Sequence, residues 1–234
     1  MVFPGNLREG VGTVIPGRFD NPNQQEPLAP DVLFPPSIST RATPMVHRFI
    51  HRQDNRCFLV YTAGSDRGRF RRHPRAGCGF VFAPTFTGNP IGGAGSFLVE
   101  ERGPTGSLIL PSYERACIRA VIGVLRAKDW VAEGCNRLVV ATNSPFIVNG
   151  ATRFITNWIR FNWINQAGDV VKNRDLWLCL QGEIEKLYAR GLTIQFWLIS
   201  RQCNNDAENL ALQAVEMDDW ITPQDFTDRI YMSG

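Results

Sequence analysis

An α/β domain with a mixed five-stranded sheet flanked by helices is the fold class that this 234-residue chain predicts. Three observations lead to it. Strand-like runs come first, at Cys57–Ala63, 75–84 and 94–104, before any long helical pattern. From Ser112 to Trp130 the apolar positions Ala116, Ala120, Val121, Val124 and Leu125 then recur at helical spacing. After that, short apolar runs alternate with amphipathic stretches. Consecutive strands form a meander, and strands separated by helices return to pair in parallel.

Taken in order, "HRFIHRQDNR" leads into the first strand. The second, "RAGCGFVFAP", carries Gly where a neighbouring backbone has to come close. The third, "AGSFLVEERGP", alternates apolar and polar residues. The first long helix follows, and then "NRLVVAT", apolar almost throughout, as a central strand parallel to the first must be. A helix is expected over "SPFIVNGATRFITNWI", with Ser144 as N-cap and Pro145 at the first helical position. The turn "NQAGDVVKN" introduces "RDLWLCLQGEIEKLYARG", an amphipathic helix closed by Gly191. The fifth strand is "TIQFWLI" and the last helix "NNDAENLALQAVEM".

Composition divides the chain into three parts. Residues 1–45, rich in Pro, Gly, Asn and Gln, read as an extended arm partly draped over the domain. The domain itself spans 46–217 and shows no internal repeat. The tail, 218–234, is acidic with Trp220, Phe226, Ile230 and Tyr231 interleaved, and either folds back or fills a partner groove. With 44% hydrophobic and 20% charged residues the chain is neither disordered nor fibrous. A net charge of +3 permits nucleic acid as a partner without demanding it. Six Cys (57, 78, 117, 135, 179, 203) form no C-x-x-C pair and read as free thiols of a reducing compartment. The three His (47, 51, 73) have no metal-ligand spacing. Neither a signal peptide nor a membrane span is expected, which places the chain inside the cell, in cytoplasm or nucleus.

The stretches "HRFIHRQD", "YTAGS", "RAGCGFVF", "RACIRAVIGVLRA", "RLVVATNS", "NGATRFITNWIR", "VKNRDLW" and "NNDAENLA" occur in this order from His47 to Met217. In that order they resemble the type 1 ribonuclease H family, and in particular its fungal branch. The resemblance implies the ribonuclease H-like sheet, order 3-2-1-4-5 with the first strand central. It implies cleavage of RNA in RNA–DNA hybrids by two Mg²⁺ ions, held by four carboxylates that clamp the phosphate and activate water.

Carried over position by position, those carboxylates fall on Ala63, Cys117, Asn143 and Glu208. One of the four is acidic. On this basis the chain is expected to be no enzyme, a ribonuclease H relative that has lost its chemistry and serves as an interaction or scaffolding module. No cofactor is expected, with Mg²⁺ only if Glu208, Glu114 and Asp66 gather into a makeshift site that would leave residual ribonuclease activity. A Cys thiol is too soft a donor for Mg²⁺, so Cys117 reads as an inert buried thiol. Active relatives read the hybrid's minor groove just before the helix motif, where Tyr113 and Glu114 stand here, and Glu114 would repel a phosphate.

The segment "RGRFRRHPR" points the other way. Arg67, Arg69, Arg71, Arg72 and Arg75 can grip phosphates, and Phe70 can stack on a base. The same segment can equally be a solvated hairpin tip or a patch for an acidic protein. Two partner classes therefore stay open, a protein and RNA or RNA–DNA hybrid, with no membrane.

Overall fold

Side-chain alternation along one long strand decides how this molecule is layered. The structure, a computed structural model, describes residues 8–22, 27–67, 74–85 and 93–216. Strand β1 (Gly17–Arg18), helix α1 (Pro30–Leu33) and β2 (Pro36–Ser39) come first. Next are β3 (Val46–His51), β4 (Asp54–Arg67), β5 (Arg75–Ala83) and β6 (Gly93–Leu98). Helix α2 (Tyr113–Arg126) leads to β7 (Arg137–Thr142). The following helical stretch is α3 (Pro145–Asn149), a π turn (Gly150–Phe154) and α4 (Ile155–Arg160). Helix α5 (Arg174–Ala189), β8 (Thr193–Leu198), a 3₁₀ turn (Arg201–Asn204) and α6 (Asn205–Val215) complete the described chain.

With 14 residues, β4 is long enough to serve two neighbours along one edge. Its first part pairs antiparallel with β3, and its second part with β5, Ala63 standing opposite Gly79. Along the other edge Cys57–Tyr61 pair in parallel with Arg137–Ala141 of β7. β7 and β8 are parallel, while β5 and β6 are antiparallel. The five expected strands are thus β4 to β8 in the order β6-β5-β4-β7-β8, with the first of them central.

Three further strands widen the sheet. β3 and β2 continue beside β4, and β1 lies parallel against β8. Two of them come from the Pro- and Gly-rich region before residue 46, so the sheet crosses the boundary expected from composition. Contacts far along the chain hold this segment. Phe19 and Phe34 meet the Trp197 ring at 4.9 and 6.1 Å between centroids. Glu185 on α5 accepts from the backbone N–H of Val11, Gly12 and Thr13 at 3.1, 2.7 and 2.7 Å.

Phe58 and Val60 of β4 enter the main core with Ile118 and Val121 of α2, Val140 of β7 and Leu180 of α5. The intervening Cys57 and Leu59 face Leu33, Phe34 and Trp197 on the opposite side. Further along that second side, Ala63 and Val81 meet Ala207 and Ala211 of α6. Glycine makes this approach possible. A Cβ on Gly77 or Gly79 of β5 would run into the backbone of α6 at Ala211 or Ala207, so the helix lies directly on the strand.

Helix α2 starts as expected, the Ser112 hydroxyl accepting from Arg115 N at 3.3 Å. It ends at Arg126, four residues earlier than the periodicity predicts. There the Trp130 indole turns back and donates to the Val124 and Leu125 carbonyls at 3.2 and 3.1 Å, satisfying groups that another turn would have used. Ser144 does sit at the N-cap of α3 with Pro145 next, but its side chain makes no capping hydrogen bond. The helix expected as continuous over 144–159 is instead widened into a π turn. Gly150 lies there against the Trp177 ring, where a Cβ would clash.

Candidate functional site

β7 ends at Thr142, one residue past the Tyr61–Ala141 pair, and the chain turns there into α3, whereas β4 runs on to Arg67 beside β5. Such a divergence opens a crevice at the end of β7. Asn143, just past β7, donates from Nδ2 to Glu208 Oε1 at 2.6 Å. Asn204 donates from Nδ2 to Asn143 Oδ1 at 2.8 Å and to the Thr62 carbonyl at 3.0 Å. Arg201 donates from Nε to Glu208 Oε2 at 2.7 Å. A continuous chain of hydrogen bonds thereby ties the start of α6 to the residue after β7 and to Thr62 within β4.

The four positions singled out in the sequence converge on this crevice. Ala63 is buried against α6 and Cys117 against β4, at 3% and 2% exposure. Close approach of α2 places Cys117, since a Cβ on Gly64 would lie 2.6 Å from Cys117 N and 2.8 Å from its Sγ. Burial pushes the Cys117 thiol up to about 11, against the smaller opposing effect of hydrogen bonds with Tyr113, Ser144 and the Gly64 backbone. The thiol is therefore protonated at neutral pH and is no nucleophile. Burial likewise holds the Tyr113 phenol well above its ordinary value, with the Cys117 thiol and the Glu208 carboxylate adding to the rise.

The makeshift metal trio does not assemble. Asp66 alternates with Ala63 along β4 and so stands on the face opposite α6 and Glu208. Glu114 belongs to the first turn of α2, near Cys117. Among the described residues, no group of three or more His, Cys, Asp or Glu is placed to hold a metal ion. Glu208 is the one carboxylate at the four positions, and both its oxygens are engaged, by Asn143 and by Arg201. The family's pair of divalent cations needs several hard oxygen donors at one spot, and these residues do not fit it.

Of the arginine segment, Arg69, Phe70, Arg71 and Arg72 lie outside the described residues. Arg67 ends β4 and Arg75 begins β5, paired opposite one another in register. Arg201 and Asn204 were not singled out by sequence reasoning as site residues, although both lie within eight residues of Glu208. The Asn that opens "NNDAENLA" was the signal available for the second. Nothing periodic marks the first.

A long central strand, a three-strand meander and helices on both faces, with polar groups collected where two parallel strands diverge, define a ribonuclease H-type α/β domain. The RNase H family model matches residues 55–216, and the chain belongs to that family. It is similar to a Ribonuclease H of Neorickettsia sennetsu, 28% identical over 125 residues, which are 52% of this chain and 78% of the relative. A Ribonuclease H of Actinobacillus succinogenes is 33% identical over 102 residues, 42% of this chain and 64% of the relative. Human Ribonuclease H1 is 28% identical over 162 residues, 68% of this chain and half of the human protein. The matched region is thus less than two thirds of the last two. Among solved structures, a type 1 RNase H with the type 2 active-site motif superposes with a TM-score of 0.50 at 22% identity, covering 68% of this chain and 72% of its own. That likeness concerns the fold.

Membership overturns one expectation from the sequence. The chain was expected to be no enzyme because three of four positions lack a carboxylate; it belongs instead to an enzyme family whose relatives are named ribonuclease H. An inventory of four side chains is not a measurement of turnover. No helix of the described residues is long and apolar enough to cross a membrane.

Proposed function

We propose that the protein engages RNA–DNA hybrid at the crevice where β7 ends beside Thr62 of β4. One observation carries this reading. The crevice keeps an ordered polar floor, Arg201–Glu208–Asn143–Asn204, at the place where a ribonuclease H-type sheet opens to a ligand. A polar network of this kind orients donors and acceptors, which packing alone does not require. The arginine segment adds to this footprint, since it joins the paired ends of β4 and β5, and we assign Arg67, Arg69, Arg71, Arg72 and Arg75 to phosphates and Phe70 to base stacking. Glu208 is the carboxylate on which any hydrolysis in this crevice depends. The narrower likeness to the fungal branch rests on the motif stretches alone.

Fluorescence anisotropy tests the reading with one sequence prepared as RNA–DNA hybrid, DNA duplex and RNA duplex. Hybrid should bind most tightly, and replacing Arg69, Arg71 and Arg72 together with Ala should weaken it and flatten its salt dependence. The same samples, given Mg²⁺ or Mn²⁺ and resolved on a gel, report cleavage. Any cleavage should vanish in Glu208→Gln. Absence of hybrid binding at low salt would remove the proposal.

A protein partner is the second reading, favoured by apolar side chains left in water on one segment. Phe154, Phe161, Ile164 and Val170 are 43%, 59%, 38% and 56% exposed. A pull-down with and without nuclease treatment separates the two, because only a protein partner survives digestion.

A further inference from the structure

Two cations share the ring of Phe82. The Arg48 guanidinium lies 5.1 Å from its centroid and 5.8 Å from that of Trp130, and the Lys128 ammonium lies 5.3 Å from Phe82. The cluster forms because α2 stops at Arg126 and the Trp130 indole turns back onto its last carbonyls. That brings Lys128 and Glu133, both on the connection from α2 to β7, against Arg48 of β3 and Phe82 of β5.

Charge in this cluster does not balance. Glu133 supplies one carboxylate, and Arg48 takes both its oxygens, from Nε at 2.7 Å and from a terminal nitrogen. Asp129, the next residue after Lys128, is drawn to another partner, its two oxygens accepting from Arg190 at 2.7 and 2.9 Å. The Val124 and Leu125 carbonyls, which would favour a cation at the end of α2, already accept from the Trp130 indole. Lys128 is thus a half-buried cation beside a second, more deeply buried one. Burial lowers its ammonium from the ordinary value, the Arg48 charge lowers it further, and Glu133 opposes the fall. The attraction of the Phe82 face for an ammonium is shared with Arg48 and does not reverse this. Desolvation beside another cation is the arrangement that makes a lysine amine nucleophilic. Half-buried and not enclosed, this amine can be reached from solvent.

We propose that Lys128 is an acylation site of this protein, a nucleophilic amine that takes acyl groups from thioesters. The neutral Nζ attacks the acyl carbon, a C–N bond forms, the C–S bond breaks, and the sulfur leaves with the electron pair. The proton released by the nitrogen goes to that thiolate, so the products are an amide and a free thiol, with no change in oxidation state. Acylation also removes the charge that Arg48 repels. The inference concerns a site other than the crevice and does not depend on the hybrid reading.

The chain supplies its own comparators, since it holds three lysines and the other two, Lys172 and Lys186, are exposed. The experiment incubates the full chain with the acetyl thioester of coenzyme A from pH 7 to pH 10, in buffer and in denaturing urea. Peptide mass spectrometry measures acetylation at each lysine. In buffer at pH 8, Lys128 should be acetylated about 3- to 10-fold faster than Lys172 or Lys186. Each unit by which an ammonium pKa falls raises its neutral fraction there about tenfold, and the weaker basicity returns part of the gain. Reactivity of Lys128 should also rise at lower pH than that of the other two. In urea, where the cluster is gone, all three should react alike. An unreactive Lys128, faster reaction at Lys172 or Lys186, or a preference for Lys128 that persists in urea would overturn the assignment.

Discussion

Replacing Gly79 by alanine should damage both the fold and the crevice, because this glycine is where α6 lies on the sheet. An added Cβ would stand 2.5 Å from Ala211 N and 3.0 Å from Leu210 Cβ, besides striking the Ala207 carbonyl, where ordinary contact begins at 3.4 Å. The obstacle is helix backbone, which cannot swing away as a long side chain would. Helix α6 must retreat by about 1 Å, loosening the packing of Ala63, Val81, Ala207 and Ala211. Overpacking of this kind costs about 2–3 kcal/mol, or roughly 5–10 °C in melting temperature for a domain of this size. Glu208 rides on α6, so the retreat also pulls on its 2.6 Å hydrogen bond with Asn143. Calorimetry of Gly79→Ala beside Gly17→Ala measures the effect. Gly17 is the control, with nothing within 4 Å of its added Cβ and an ordinary backbone conformation. It should change stability by less than about 0.5 kcal/mol. Equal melting temperatures for the two variants would refute the account of how α6 docks.

Three other outcomes follow from the structure. Glu185 accepts three backbone N–H groups and the Thr13 hydroxyl. These bonds outweigh its desolvation and hold its carboxyl below the usual value. Its contribution is therefore complete above the ordinary carboxylate range and lost as pH falls through the depressed value. Glu185→Ala should speed hydrogen exchange at Gly12 and Thr13 and cost about 1–2 kcal/mol at pH 7. Glu100 pairs with the buried Arg119 at 2.8 Å, and Glu100→Leu, which strands that charge, should cost about 3–5 kcal/mol by urea unfolding. Iodoacetamide at pH 7.5 should modify the exposed Cys203 first, leaving the buried Cys57, Cys78, Cys117, Cys135 and Cys179 intact until the protein unfolds, as peptide mass spectrometry would show.

The order of β4 to β8 was legible because each strand is a buried apolar run and each crossover an amphipathic helix. Convergence of Ala63, Cys117, Asn143 and Glu208 was legible because the motif stretches occur in family order. β1 and β2 were not, since strands of two and four residues in a Pro- and Gly-rich segment show no period. What holds them is distant, the edge of β8 and the Glu185 carboxylate. The π turn at Gly150 depends on the Trp177 ring, which is 27 positions away in the chain and invisible to local pattern. Arg201 escaped notice for a related reason. An arginine seven residues before a glutamate meets it only because a 3₁₀ turn intervenes before α6. The expectation that the chain is no enzyme failed differently, because the side chains at three positions do not decide the activity of a whole protein.

The central claim is that hybrid is engaged where β4 and β7 diverge. Hydrogen exchange of the full chain, with and without saturating RNA–DNA hybrid, tests it most directly, because it maps the contact without substituting any residue. The account predicts slowed exchange at the segment after β7 around Asn143, the turn from Arg201 to Asn204, the first turn of α6 and the arginine segment from Arg67 to Arg75. Protection confined instead to Phe154–Val170, or no change anywhere at saturating hybrid, would contradict it.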